Sequence, residues 1–319
     1  MPSHLDPSTL SDYERLFYAT LRIRRVEQRI IDIYPSDRIQ SPVHLSIGQE
    51  AVAVGACDGL RRSDPAYVTY RSHAFYLAKG GDLNAMFAEL YGRRDGMAKG
   101  KAGSMHLAAP DVGLMGASAI VASTIPHAVG SALAARNRRS GQVTLCVFGD
   151  GATEEGVYHE SLNFAALHAL PVLFLCENNE LAVHAHRHER QAYGLVEHAR
   201  SYGVGAVTIS DGADFVMVRD VCRGIVDEMR RDARPRLVVV DTFRAHEHVG
   251  PGLDFDAGYR GRDGLCAWQG QDPLQQRADL VARFAPAIDA EIDAAVAFAE
   301  NSPFPTAEDL LTDVDGLAA

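Results

Sequence analysis

Between Val143 and Asn179 the chain carries two apolar runs separated by a helix-length segment, and this stretch constrains the fold more than any other. The first run, Val143-Thr144-Leu145-Cys146-Val147-Phe148, has the length and β-branched content of a buried strand. Gly149-Asp150-Gly151 follows, then an amphipathic segment, then Val172-Leu173-Phe174-Leu175-Cys176, which ends in Glu177-Asn178-Asn179. Strand, helix and strand in this order predict a βαβ unit, and with it an α/β fold: a doubly wound, mainly parallel sheet flanked by helices. Ligands of such sheets bind beyond the carboxyl ends of the strands, at the switch point of strand order. Asp150 and Asn179 both stand just past a strand end, so the fold brings them together although 29 positions separate them.

Each of these side chains offers a hard oxygen, and the flanking glycines allow backbone to come close to a ligand. A helix expected from about Thr153 turns its N-terminus toward the same point, which favours an anion. Mg²⁺ takes six oxygens and usually shares them among protein, phosphates and water. One carboxylate, one amide oxygen, one main-chain carbonyl, two phosphate oxygens and a water complete that number. A Gly-Asp-Gly by itself commonly marks a turn; the second strand and the Asn pair turn it into a Mg²⁺-diphosphate site.

The chain of 319 residues is long enough for a large core, with 47% hydrophobic and 23% charged residues, as in soluble globular proteins. A formal net charge of −11 argues against non-specific nucleic-acid binding and a polybasic membrane contact. Five cysteines form no CxxC pair, the N-terminus has no signal-peptide core, and no apolar run approaches membrane-spanning length, so the expected location is cytoplasmic. Without a linker, repeat or low-complexity segment, residues 1–319 read as one domain with an N-terminal helical extension and a C-terminal helical tail.

Gly149-Asp150-Gly151, 27 residues and then Asn179 resemble the thiamin diphosphate fingerprint. The wording GDGATEEG, FAALHALPVLFLCENN, HLSIGQEA and KGKAGSMH is similar, more narrowly, to α subunits of the E1 component of 2-oxo acid dehydrogenase complexes, acetoin dehydrogenases included. The resemblance covers about Asp12 to Val314. It implies thiamin diphosphate and Mg²⁺ as cofactors, with Asp150, Asn179 and the Leu181 carbonyl on the metal and Gly151 and Ala152 against the diphosphate. Tyr70-Arg71 falls on a diphosphate-binding Tyr-Arg pair, a sensible match because Arg offers planar, bidentate phosphate contacts. Ala119-Ile120-Val121 falls on the segment meeting the cofactor's middle, with Ala119 and Val121 as candidate contacts. His44 and His248 fall on histidines of the cofactor region and are the candidate proton-transfer groups. Tyr259-Arg260 matches a closing Tyr-Arg. Glu247 and Val249 replace a Gly and a Ser, which removes a serine that some relatives use for phosphorylation control.

Elsewhere the residues have plainer readings. Ser11-Asp12-Tyr13-Glu14 is a capping box that opens a long helix, whose Arg22, Arg24, Arg25 and Arg29 are expected to form a solvated face. Gly96 to His106 fails the Walker pattern and is expected to be a loop bordering the site, with Lys99 and Lys101 unassigned. His184, His186 and His188 alternate as zinc ligands on a strand do, but no Cys or carboxylate completes a set, so a place of His184 or His186 at the substrate mouth is favoured.

Nothing in the chain resembles a pyrimidine-binding half. By the resemblance, a separate β subunit supplies the activating Glu in an α2β2 assembly, a lipoyl-bearing acyltransferase takes the acyl unit, and the substrate is a 2-oxo acid. An acetoin-cleaving or acyloin-forming carboligase subunit is the nearest alternative. A Mg²⁺-dependent phosphohydrolase would want more carboxylates around Asp150, and a non-catalytic nucleotide-binding subunit is the plainest option.

Overall fold

The computed structural model describes residues 10–312. Its strands are β1 (Ala66–Thr69), β2 (Leu114–Ser118), β3 (Thr144–Gly149), β4 (Val172–Asn178), β5 (Leu181–Ala182), β6 (Ala185–His186), β7 (Gly205–Ile209) and β8 (Arg236–Asp241). Its helices begin with α1 (Asp12–Ile33), α2 (Glu50–Asp58), α3 (His73–Ala78), α4 (Leu83–Leu90), α5 (Thr124–Arg138) and α6 (Gly156–Leu167). They continue with α7 (Arg187–Arg190), α8 (Leu195–Ser201), α9 (Phe215–Asp232), α10 (Asp263–Gln271), α11 (Pro273–Gln276) and α12 (Ala278–Asn301). Six strands form one parallel sheet in the order β2-β1-β3-β4-β8-β7, while β5 and β6 form a small antiparallel hairpin.

Alternation along the central strands splits the core into two layers. Leu145, Val147, Leu173, Leu175, Val238 and Val240 face a layer built with α1, α2, α4, α9 and α12. Cys146, Phe148, Phe174, Cys176, Leu237 and Val239 face the other, built with α5, α6 and α8. Burial on both faces is why β3 and β4 read as unbroken apolar runs. Strand order reverses between β1 and β3, whose pairing stops at Tyr67 and Cys146, whereas β3 stays paired with β4 through Gly149 and Glu177. The two strands on either side of the reversal therefore part before their carboxyl ends, and a crevice opens there.

The capping box at Ser11 and Glu14 is present. The arginines of α1 do not form a solvated face. Arg22, Arg25 and Arg29 pair with Glu291, Asp289 and Asp293 along α12, with Arg22 Nη2 2.7 Å from Glu291 Oε1. Arg24 is 8% exposed and pairs with Glu50 and with Asp272 Oδ2 at 2.8 Å. These partners lie too far along the chain for local spacing to reveal them. The loop after α4 also departs from expectation: the Glu89 carboxylate, 1% exposed, takes the N–H groups of Ala98, Gly100, Ala102 and Gly103. Lys101 turns to the carbonyls of Asp309 and Thr312. The loop is thus wrapped around a buried carboxylate and tied to the C-terminal segment.

Candidate active site at the sheet switch point

A cavity of about 290 Å³ lies at the reversal of strand order, walled by residues at the ends of β1, β2, β3 and β4, by the β5–β6 hairpin and by the loop after β8. Of the predicted site residues, Tyr70, Arg71, Val121, Asp150, Gly151, Ala152, Asn179, Leu181 and His248 line it. His44 and Ala119 do not: His44 stands behind Tyr70, and Ala119 flanks lining residue Ile120.

Asp150 opens a 3-10 turn over Asp150–Glu154, and α6 starts only at Gly156, later than the Thr153 expected. The side chain is 1% exposed. Its Oδ2 accepts from Arg190 Nη2 at 2.6 Å, and its Oδ1 is buried with no hydrogen-bond partner. Burial raises the carboxyl above its ordinary value, and Arg190 opposes that rise without cancelling it. A buried, partnerless carboxylate oxygen is the feature a cation would satisfy. Gly151 has to be a glycine, because a Cβ there would lie 2.9 Å from Ala182 Cβ on the hairpin.

Asn179 is held at both ends. Its Oδ1 accepts from Leu181 N at 3.1 Å, and its Nδ2 donates to Gln49 Oε1 at 3.0 Å. Beside it, burial pushes the Glu177 carboxyl up to about 7, opposed by the neighbouring Gln49 amide and the charge of Arg71.

Arg71 is 5% exposed and donates through Nη1 to Leu45 O at 2.5 Å. Burial lowers its affinity for the proton; a buried guanidinium with donors left over is suited to an anion. The rings of His44 and Tyr70 are 4.4 Å apart, those of His44 and His248 5.2 Å, and those of Tyr70 and His248 5.4 Å. Burial, aided by Arg71, lowers His44 to about 3 and His248 to about 4, so both imidazoles are neutral at pH 7.

The hairpin bends at Val183, a β-branched residue with φ of 54°, in the left-handed region that such residues avoid. Arg244, 2% exposed, holds this turn by donating to Val183 O at 2.9 Å, and is itself anchored to Asp254 Oδ2 at 3.0 Å and Tyr259 Oη at 2.7 Å. Tyr259 and Arg260 therefore close on Asp254. His186 Nε2 lies 2.8 Å from Tyr259 O, and the His184 ring rests 4.8 Å from that of Tyr259. Among the described residues, no group of three or more His, Cys, Asp and Glu is placed to hold a metal by itself.

Sequence reasoning left Gln49, Glu177, Arg190 and Arg244 without roles, although Gln49, Glu177 and Arg244 line the cavity and Arg190 touches Asp150. Two signals were available: a Glu closing an apolar strand, and Gln49 beside a glycine that only a special turn requires.

The profile of the family described as "Dehydrogenase E1 component" matches residues 18–308. The chain is 33% identical over 307 residues to the α subunit of acetoin:2,6-dichlorophenolindophenol oxidoreductase of Bacillus subtilis, covering 94% of this chain and 92% of that one. It is 34% identical over 304 residues to a mitochondrial pyruvate dehydrogenase E1 component α subunit of Oryza sativa, covering 92% and 77% respectively. The fold is similar to that of transketolase from Campylobacter jejuni, with a TM-score of 0.58, 16% identity, and coverage of 92% of this chain but 49% of that one. With a match over nearly its whole length and relatives this close, the chain belongs to the dehydrogenase E1 component family.

Proposed function

We propose that this chain is the diphosphate-anchoring α subunit of a cytoplasmic, thiamin diphosphate-dependent E1 enzyme that decarboxylates a 2-oxo acid and passes on the acyl unit. Family membership implies thiamin diphosphate; the observation that carries the site is the partnerless Oδ1 of Asp150 at the sheet switch point, one chain-crossing from the pinned amide of Asn179. Asp150, Asn179 and the Leu181 carbonyl are the proposed Mg²⁺ ligands, a hard-oxygen set suited to that ion. Arg71 and Tyr70 give the diphosphate a planar donor and a neutral one, and the absence of a side chain on Gly151 lets the backbone approach. Val121 and Ala119 border the middle of the bound group.

The bound cofactor supplies a nucleophilic carbon and an electron sink. The protein's share is to anchor, orient and exclude water. His248, kept neutral, offers a ring nitrogen that takes or returns a proton at the cavity wall, and His44 backs Tyr70 and tunes that cluster. The carboxylate that activates the pyrimidine is assigned to a separate β subunit in an α2β2 assembly, and a lipoyl-bearing acyltransferase is the proposed acceptor.

Co-purification with the β subunit tests this reading. Turnover of pyruvate or a branched 2-oxo acid with a dye acceptor, dependent on both chains, is the expected result. Acetoin relatives match as well as pyruvate ones, so acetoin is assayed beside them. Turnover only with an aldehyde acceptor would reassign the pair to carboligation, and full activity of the α chain alone would overturn the proposal.

A further inference from the structure

Glu27 of α1 is 0% exposed and does not line the cavity, yet its two oxygens meet the two segments that hold Arg71. Oε1 accepts from Ser46 N at 2.8 Å, and Oε2 lies 3.1 Å from His73 Nδ1. His73, equally buried, is held at its other nitrogen, 2.7 Å from Ser104 Oγ. Ser72 Oγ donates to Ser104 O at 3.2 Å, and Ser104 N donates to Ser41 Oγ at 3.0 Å. The run from Arg71 to His73 is thus tied to α1 and to the loop before β2.

The Ser46 N–H and the Leu45 C=O are the two ends of one peptide group. In a trans peptide they lie in one plane and point opposite ways. Glu27 holds the N–H end, and Arg71 Nη1 donates to the C=O end at 2.5 Å. The plane cannot turn without losing the Glu27 bond, so Glu27 sets the direction of the Leu45 carbonyl. That carbonyl in turn fixes one corner of a rigid, planar guanidinium, whose Nη2 comes only within 3.5 Å of His248 O. The second oxygen acts on Arg71 from the other side, because His73 follows it by two residues. We propose that Glu27 is a positioning residue: through the Leu45–Ser46 peptide and through His73 it aims the Arg71 guanidinium at the diphosphate of the cofactor. This inference rests on the reading of Arg71 as a diphosphate ligand.

The test uses the full chain with its β subunit and excess Mg²⁺, and reads thiamin diphosphate affinity by calorimetric titration. Glu27→Asp keeps the carboxylate but is one methylene too short to reach Ser46 and His73 together; affinity is expected to fall about tenfold, the worth of one hydrogen bond to a charged group. Glu27→Gln keeps the reach and an oxygen for the Ser46 N–H, and is expected to stay within about threefold of the parent. Arg71→Met alone should weaken binding about thirtyfold. Adding Glu27→Asp to it should change the affinity by less than about twofold, because the group through which Glu27 acts is gone. A loss of packing would weaken both backgrounds alike. His73→Leu cuts the second tie, is expected to show the same dependence on Arg71, and carries the cycle if Glu27→Asp does not fold. Glu27→Asp binding like the parent, Glu27→Gln as weak as Glu27→Asp, or Glu27→Asp or His73→Leu acting with its full factor on Arg71→Met, would overturn the inference. Arg71→Met binding thiamin diphosphate like the parent would instead overturn the place of Arg71 in the proposed function.

Discussion

Replacing Arg24 by Met should cost the fold about 3–5 kcal/mol, the range for removing one partner of a buried ion pair. Arg24 is buried between Glu50 and Asp272, which are 2% and 1% exposed, and lies 5.1 Å over the Trp268 ring. Burial opposes its charge, but the two carboxylates outweigh that and hold the guanidinium above its ordinary value. Met keeps the volume and leaves both carboxylates in the interior with their backbone donors alone: Gly48 N for Glu50, Leu274 N for Asp272. With an unfolding entropy of about 2.1 cal/mol/K per residue, the loss corresponds to a fall of roughly 4–8 °C in the thermal midpoint. Arg24→Lys, which keeps the charge and loses the planar fork, should fall between the two. Differential scanning calorimetry at one scan rate measures all three proteins. A midpoint for Arg24→Met within 1 °C of the parent would refute the triad's role. Because Glu50 also holds the Gly48 turn, the same variant should weaken cofactor binding, which links this remote cluster to the site.

Glu89→Ala should destabilise the protein by several kcal/mol, since four backbone N–H groups lose one charged acceptor. Its cofactor affinity should stay within about twofold of the parent by calorimetric titration, because residues 96–103 do not line the cavity. Gly151→Ala should lower the thermal midpoint by roughly 2–4 °C, the effect of about 1–3 kcal/mol of overpacking, and weaken thiamin diphosphate binding about tenfold, as the new methyl displaces the hairpin at Ala182. His44, lowered to about 3, binds its proton more weakly in the folded than in the unfolded chain, so its contribution to stability falls as pH drops from about 6.5 toward 3. His44→Gln should therefore flatten the stability loss between pH 6.5 and 5 by up to about 2 kcal/mol, read from urea denaturation at each pH.

The parts of the fold legible in the sequence are those set by local pattern. β3 and β4 showed themselves because burial on both faces makes them almost continuously apolar, and Asp150 and Asn179 because strand ends are fixed by those runs. The capping box was readable from four residues. What stayed hidden depends on partners far along the chain. Arg22, Arg25 and Arg29 look like a solvated stripe until α12 lays Glu291, Asp289 and Asp293 beside them. The glycine- and lysine-rich loop resembles a phosphate site, yet Glu89, which precedes it on α4, claims its amides. Arg190 on Asp150 and Arg244 under Val183 are invisible to spacing, because one arrives from α7 and the other from the loop after β8.

The account stands or falls on Asp150 as the anchor of a metal–diphosphate cofactor. Calorimetric titration of the full chain with thiamin diphosphate, with and without Mg²⁺, should show binding that each ligand strengthens in the other. In Asp150→Ala the Mg²⁺-dependent part should disappear, because the variant loses the one carboxylate oxygen among the described residues that burial leaves without a partner. Cofactor and Mg²⁺ binding to Asp150→Ala as tightly as to the parent would contradict the assignment.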